Sequence, residues 1–212
     1  MRDLVKRWLA FCFYVVLVLA FYFLSAKFPV ISRYTAKPSV VDQAVPLLPW
    51  TVAIYLSHFF LVMALFLCVK TYTRVRHLLW SSTSLLILSV AFFLVVPFQI
   101  RHVPLPSQDI WSEVIKMIRL VDVHTNLLPS LHVLMALFGP LFILTAEGFS
   151  PRNALFLLWG ILITLSTMTT KQHLFADVVT GTLISLFMAL PWGWYSRLKV
   201  QEEERTQKRW GG

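Results

Sequence analysis

Trp8-Leu-Ala-Phe-Cys-Phe-Tyr-Val-Val-Leu-Val-Leu-Ala-Phe-Tyr-Phe-Leu-Ser25 is a run of eighteen residues without a charge. As a helix it rises about 27 Å, close to the ~30 Å of a bilayer's hydrocarbon core. Arg2, Lys6 and Arg7 stand before it, as they would before a secretory signal. The run is too long for the core of a signal, and Ala26-Lys27-Phe28-Pro29 is not a convincing cleavage site, so it reads as a retained membrane anchor.

Working outward, five further apolar stretches have the same character: Leu48 to Val69, Leu78 to Gln99, Leu131 to Thr145, Ala154 to Met168 and Leu174 to Trp192. The fourth and fifth of the six are short and are expected to borrow flanking residues. At 58% hydrophobic residues and a mean hydropathy of +0.71, the 212-residue chain carries more apolar side chain than a soluble domain could bury. The expected fold is all-α, a polytopic membrane protein of six transmembrane helices in one bundle. No Gly/Ser linker and no fixed repeat divides residues 1–212 into separate domains. Cys12 and Cys68 fall inside expected spans, where they read as small apolar packers with no disulfide role.

The net charge of +9 is scattered over loops and tails, with no compact basic domain, which argues against a nucleic-acid partner. With the amino terminus inside, the inner segments hold twelve Lys and Arg (Arg2, Lys6, Arg7, Lys70, Arg74, Arg76, Arg152, Arg197, Lys199, Arg205, Lys208, Arg209). The outer segments hold seven (Lys27, Arg33, Lys37, Arg101, Lys116, Arg119, Lys171). The positive-inside rule therefore expects both termini in the cytoplasm, with 197–212 as a solvated cytoplasmic tail.

The loop from Lys27 to Pro49 carries Pro29, Pro38, Pro46 and Pro49 and is expected to be extended or turned, with Trp50 and Tyr55 in an interfacial aromatic belt. Between Arg101 and Pro129, Ile110, Val114, Ile115, Ile118 and Val121 recur at helical spacing against a polar face of Asp109, Glu113, Lys116 and Arg119. A short interfacial helix is the natural reading, either a cover for the bundle or a wall that guides lipid headgroups.

Two segments place polar groups at the mouths of apolar helices: Asn126-Leu-Leu-Pro-Ser-Leu-His132 and Ser166-Thr-Met-Thr-Thr-Lys-Gln-His173-Leu-Phe-Ala-Asp177. In the expected topology both open helices that enter from the outer face, so they can meet. His173 and Asp177 are one turn apart on one helical face, where a carboxylate can orient an imidazole as nucleophile or base. The plainer role for such a pair is to tie helices together. Ser130 stands at an N-cap position whose free N–H groups favour an anion, with His132 just inside the helix, and an ordinary serine cap is the plainer role there. Lys171 and Arg101 would supply charge to a phosphate, or simply snorkel to the interface. The outer carboxylates Asp42, Asp109, Glu113, Asp122 and Asp177 show no paired ligand spacing, so neither a metal nor another cofactor is expected.

Taken jointly, these residues resemble the type-2 phosphatidic acid phosphatase superfamily, whose signature runs Lys-x6-Arg-Pro, Pro-Ser-Gly-His and Ser-Arg-x5-His-x3-Asp. Here Pro129-Ser130-Leu131-His132 carries Leu131 in place of Gly, and Ser166-Thr167 through His173 to Asp177 carries Thr167 in place of Arg. The first motif is degenerate, with Arg101 in the right loop but no lysine seven residues earlier and no proline following it. Pro-Ser-Leu-His, Thr-Lys-Gln-His and the upstream Pro49, Trp50 and Tyr55 look like the branch that includes inositol phosphorylceramide synthases and related bacterial membrane phosphatases. The likeness covers about residues 42–181.

The resemblance implies that His173 is the nucleophile, that Asp177 orients it, and that His132 is general acid and then base. Ser130, Lys171 and Arg101 would hold the phosphate. The activity implied is metal-independent hydrolysis of a lipid phosphate or diphosphate at the outer face of a cell membrane (plasma or bacterial inner), through a phosphohistidine. A bell-shaped pH profile is expected, since one histidine must be neutral while the other is protonated. Two other readings compete: a transferase that moves a phospho-headgroup from a phospholipid to a lipid alcohol, and a non-enzymatic transport or scaffold protein. His58 is left out of the expected site.

Overall fold

A computed structural model describes residues 1–28, 34–105, 109–122 and 127–210. Pro29, Arg33, Asn126 and the last two residues of the tail, all named above, lie outside them. The described chain is almost wholly helical. In order it forms α1 (Arg2–Lys27), β1 (Tyr34–Thr35), α2 (Val40–Ala44), a 3₁₀ turn (Pro49–Thr51), α3 (Val52–Leu56) and α4 (His58–Cys68). There follow α5 (Tyr72–Val95), β2 (Phe98–Gln99), α6 (Ile110–Val121), α7 (Leu131–Glu147), α8 (Pro151–Thr169) and α9 (Phe175–Trp210).

Five stretches are long and apolar enough to cross a membrane: Arg2–Ser25, Pro49–Cys68, Tyr72–Val95, Pro151–Thr169 and Phe175–Arg209. The protein is therefore a multi-pass helical chain of membrane character. The run expected to span from Leu131 is α7, an apolar helix of 17 residues, or about 25 Å. It is the innermost element, buried all round from Val133 to Pro140, while α1 lies at the periphery with most of its residues exposed.

Small residues set how closely the helices approach α7. Pro140 has no N–H to bond the carbonyl of Ala136, and Gly160 of α8 lies against that carbonyl, where a Cβ would come within 2.0 Å of the oxygen. On the other side, a Cβ on Gly181 of α9 would meet Val133 at 3.0 Å, and one on Gly193 would meet Thr145 at 2.6 Å. The Ser185 hydroxyl donates across the same interface to the Leu134 carbonyl (3.1 Å). Close backbone approach of this kind suits helices whose association gains little from excluding water.

The tight connections α7–α8, through Gly148 at φ +84°, and α8–α9 run the chain back and forth. The amino ends of α7 and α9 consequently lie at one end of the bundle. At the opposite end, Arg7 donates to the carbonyls of Leu67, Val69 and Lys70, which close α4. Glu147 accepts from Lys70 N (2.6 Å) and from Arg152 (2.5 Å), and Arg152 also bonds the Cys68 carbonyl (2.8 Å).

Several local expectations are corrected. The proline-rich loop contains a short helix, α2, started by a capping box in which Ser39 and Asp42 exchange hydrogen bonds. Its earlier part pairs as β1 in parallel with β2, so the third apolar run ends as helix at Val95 and not at Gln99. That same helix begins six residues early, at Tyr72, because Thr71 caps it by accepting from Arg74 N. Cys12 and Cys68 face outward instead of packing inside the bundle. The tail continues α9 as helix to Trp210, with Glu203 accepting from Thr73 at 3.0 Å.

Candidate functional site

Ser130 starts α7 as expected: its buried hydroxyl accepts from Val133 N (3.3 Å). The N–H groups of Leu131 and His132 have no partner among the described residues. His132 stands one position inside the helix, half-buried, with its Nδ1 3.2 Å from the Tyr55 hydroxyl.

The turn between α8 and α9 brings in His173. Thr167, where the family has Arg, is fully buried; its hydroxyl donates to the Thr164 carbonyl and its own carbonyl accepts from Gln172 N and His173 N. Lys171 takes a left-handed conformation, φ 56°, the geometry that ends many helices and that costs a residue with a Cβ about 1–2 kcal/mol. His173 then emerges beside α9 and its ring lies 6.0 Å from that of His132. The two segments do meet.

Asp177 is buried, with Oδ2 3.6 Å from Nδ1 of His173. That separation is within ion-pair range but too long for a hydrogen bond. The same oxygen accepts from Leu174 N at 2.8 Å, so Asp177 both starts α9 and faces the histidine.

Lys171 holds something other than an open phosphate cradle. Its Nζ donates to the carbonyls of Asp42 and Val45, each at 2.5 Å. Asp42 completes the clamp, since Oδ1 accepts from Phe175 N (2.7 Å) and Oδ2 from Ser39. Leu48 N donates to the Thr169 carbonyl (2.8 Å), tying the loop down a second time. Burial tends to raise the Asp42 carboxyl, but the bonds from Ser39 and Phe175 N and the charge of Lys171 outweigh it and hold it below its ordinary value. Arg101 is exposed just beyond β2 and makes no hydrogen bond or ion pair with the histidines among the described residues.

Two residues join the site beyond those expected in it, Tyr55, which the resemblance names only as part of an upstream motif, and His58. The Tyr55 ring, expected in the interfacial belt, is buried and stacks on His132 at 4.3 Å and 25°. His58 lies 5.0 Å from His132, so three imidazoles form a row, His58, His132, His173. Tyr55 and His58 are three apart and so share a helical face, which is the signal that could have found them. Between them Ser57 donates to the Ile54 carbonyl (2.6 Å) and accepts from the Trp159 indole (2.8 Å), separating α3 from α4. Nδ1 of His58 and Nδ1 of His173 are both buried without a hydrogen-bond partner.

The row of rings stands at one end of a cavity of about 450 Å³. Its walls are apolar and come from α1, α4, α6 and α7, with Met117, Ile118 and Val121 contributed by α6. That helix forms as its spacing predicts, with Asp109, expected on its polar face, acting as its cap, and it is a wall of the cavity and more than a cover. Tyr22 of α1 donates to Asp122 at its far end. Among the described residues no group of three His, Cys, Asp or Glu has the arrangement to hold a metal ion.

Comparison with protein-family models, with curated proteins and with solved structures returned no match.

Proposed function

We propose that this chain is a membrane-integral lipid phosphatase that hydrolyses a lipid phosphate or diphosphate through a phosphohistidine, in the manner of the type-2 phosphatidic acid phosphatases. The observation that carries this reading is the pairing of His132 and His173, 6.0 Å apart, with Asp177 behind His173 and an apolar cavity at their side.

In this mechanism the Nε2 of His173 attacks phosphorus, and the bond from phosphorus to the lipid oxygen breaks. His132 gives its proton to that oxygen, which leaves as an alcohol. His132, now neutral, takes a proton from water. The hydroxide attacks the phosphohistidine, freeing inorganic phosphate and restoring His173. Charge on the phosphate is offset by the free N–H groups of Leu131 and His132 at a helix amino terminus and by the one N–H of Lys171 not spent on the loop carbonyls. A lipid alcohol in place of water in the second half would make the same site a transferase.

Six spans, both termini in the cytoplasm and an outward-facing site complete the proposal, placing it in a cell membrane. They are supported by the burial of α7 at the centre of the bundle and by the basic residues Arg7, Lys70 and Arg152 at the end opposite the histidines.

Purified protein in detergent with chelator, given lipid phosphates and phospholipids with and without diacylglycerol or ceramide, tests the reading. Free phosphate from wild type and none from His173→Ala is the expected result. A headgroup-bearing product lipid instead assigns the transferase. Neither product from a folded sample overturns both and leaves a transport or scaffold role.

A further inference from the structure

We infer that Tyr55 is the positioning residue for His132: its hydroxyl holds Nδ1, so that Nε2 is the nitrogen that exchanges protons with the lipid and with water. This rests on reading His132 as the acid and base of a phosphatase, and it gives a role to a residue to which the resemblance assigns none.

Tyr55 is only 2% exposed, and its hydroxyl makes one hydrogen bond among the described residues, with Nδ1 of His132 at 3.2 Å. Its ring lies on the imidazole at 4.3 Å and 25°, so His132 is held both by its face and by one nitrogen. Nε2 of His132 has no hydrogen-bond partner among the described residues, and the residue lines the cavity. His58 is the other candidate partner for His132. Its ring comes within 5.0 Å, but no hydrogen bond joins the two imidazoles among the described residues, and Nδ1 of His58 bonds nothing.

Which imidazole nitrogen carries the proton is set by the bond that the other one makes. A hydroxyl suits Nδ1 in every state, because it can both donate and accept. While His132 is protonated, Nδ1–H donates to the Tyr55 oxygen and Nε2–H faces the leaving oxygen of the lipid. Nε2 gives up its proton to that oxygen, Nδ1 keeps its own, and the lone pair left on Nε2 then takes the proton from water. Without the hydroxyl, Nδ1–H has no partner on the protein at either step, and the remaining proton can sit on either nitrogen.

The surrounding bonds keep Tyr55 in register with the nucleophile. Thr51, just before α3, shares a hydrogen bond with the Thr169 hydroxyl (2.8 Å), beside the bond from Leu48 N to the Thr169 carbonyl. Thr169 is the last residue of α8, at the turn that delivers His173. Beyond the other end of α3, the Trp159 indole of α8 donates to Ser57 (2.8 Å). The segment that carries Tyr55 is therefore fastened on both sides to the helix whose turn carries His173, and the two histidines share one frame.

The test compares full-length wild type, Tyr55→Phe, His132→Ala and the double variant in detergent, by first-turnover rate per folded molecule. Two esters are used: hexadecyl phosphate, whose alkoxide needs a proton as it leaves, and 4-nitrophenyl phosphate, whose phenolate leaves without one. Tyr55→Phe keeps the stacked ring and is expected to melt with the wild type. Its rate on hexadecyl phosphate should fall at least ~10-fold, and its loss on 4-nitrophenyl phosphate should be smaller by about five-fold or more. Added to His132→Ala, the same change should cost less than about two-fold, because the hydroxyl acts only through that ring. Equal losses on the two esters, or an undiminished loss in the double variant, overturn the inference and leave the phosphatase reading standing. An unfolded Tyr55→Phe, or one that turns over normally per folded molecule, assigns the hydroxyl to structure and also overturns it. If the wild type hydrolyses neither ester, the phosphatase reading has failed, and histidine ¹⁵N resonances still decide the bond. The resonance that His132→Ala removes should move in Tyr55→Phe; one that stays in place overturns the inference.

Discussion

The two ends of the bundle spend their polar groups differently. At the end of Arg7, Glu147 and Arg152, charges complete helix termini: guanidinium groups cover the carbonyls that close α4, and a buried carboxylate accepts from Lys70 N. At the other end, imidazole and phenol rings are stacked around a cavity, and two buried ring nitrogens make no bond. Polar groups in an apolar bundle can thus be structural or functional, and what they face, helix-end carbonyls or an open cavity, separates the cases. Unpaired polar atoms beside a cavity are costly without a ligand to meet them.

The sharpest way to break this contrast is at the histidines. His173→Ala is expected to lower phosphate release by at least ~10³-fold and His132→Ala by about 10²–10⁴-fold, with thermal melting in detergent nearly unchanged. A large loss of melting temperature in either variant would move the histidine end into the structural class.

Glu147→Ala is the mirror experiment. It strips a fully buried carboxylate from Lys70 N and Arg152, and is expected to cost about 2–3 kcal/mol of stability while turnover per folded molecule stays the same. A melting curve set beside an activity measured on the folded fraction checks both halves.

Asp42 belongs to the histidine end but behaves like the other, since it fastens the loop to α9. Its carboxyl lies below its ordinary value in the folded chain, so its contribution is present above the unfolded value of ~3.9 and is lost as pH falls through the folded one. Asp42→Asn is expected to lose about 1–2 kcal/mol at pH 7, because an amide cannot accept from both Phe175 N and Ser39. The gap between the two melting temperatures should close on acidification below about pH 4. A gap independent of pH would assign the clamp to packing.

The smallest effect is at Lys171. Lys171→Ala keeps the left-handed strain and loses two hydrogen bonds, whereas Lys171→Gly loses the bonds and the strain together. Melting should rank Gly above Ala by about 1 kcal/mol. The reverse order would show that the turn is not strained.

Much of this was legible without coordinates. Length without charge marks the apolar runs, and one-turn spacing marks His173 with Asp177. The period of Ile110 to Val121, with Asp109 before it, marks α6. The partners of Lys171 were not, because the carbonyls of Asp42 and Val45 lie more than a hundred residues away and carbonyls carry no side-chain signature. His58, within an apolar run, could face the bundle or simply pack and was left out of the expected site, since only the approach of α7 to α4 sets its ring against His132. Thr167 looked like a lost arginine, yet it is wholly enclosed and its carbonyl ends α8.

The sequence by itself determined that the chain is helical and of membrane character, and which polar residues stand at the mouths of apolar helices, because hydropathy and helical period are local properties. Only the tertiary structure decided that the rings of His58, His132 and His173 form a row, that Lys171 is spent largely on a loop, and that an apolar cavity opens beside them. Those follow from helices packed at glycine contacts and held by backbone carbonyls, and neither feature can be read until the chain has folded back on itself.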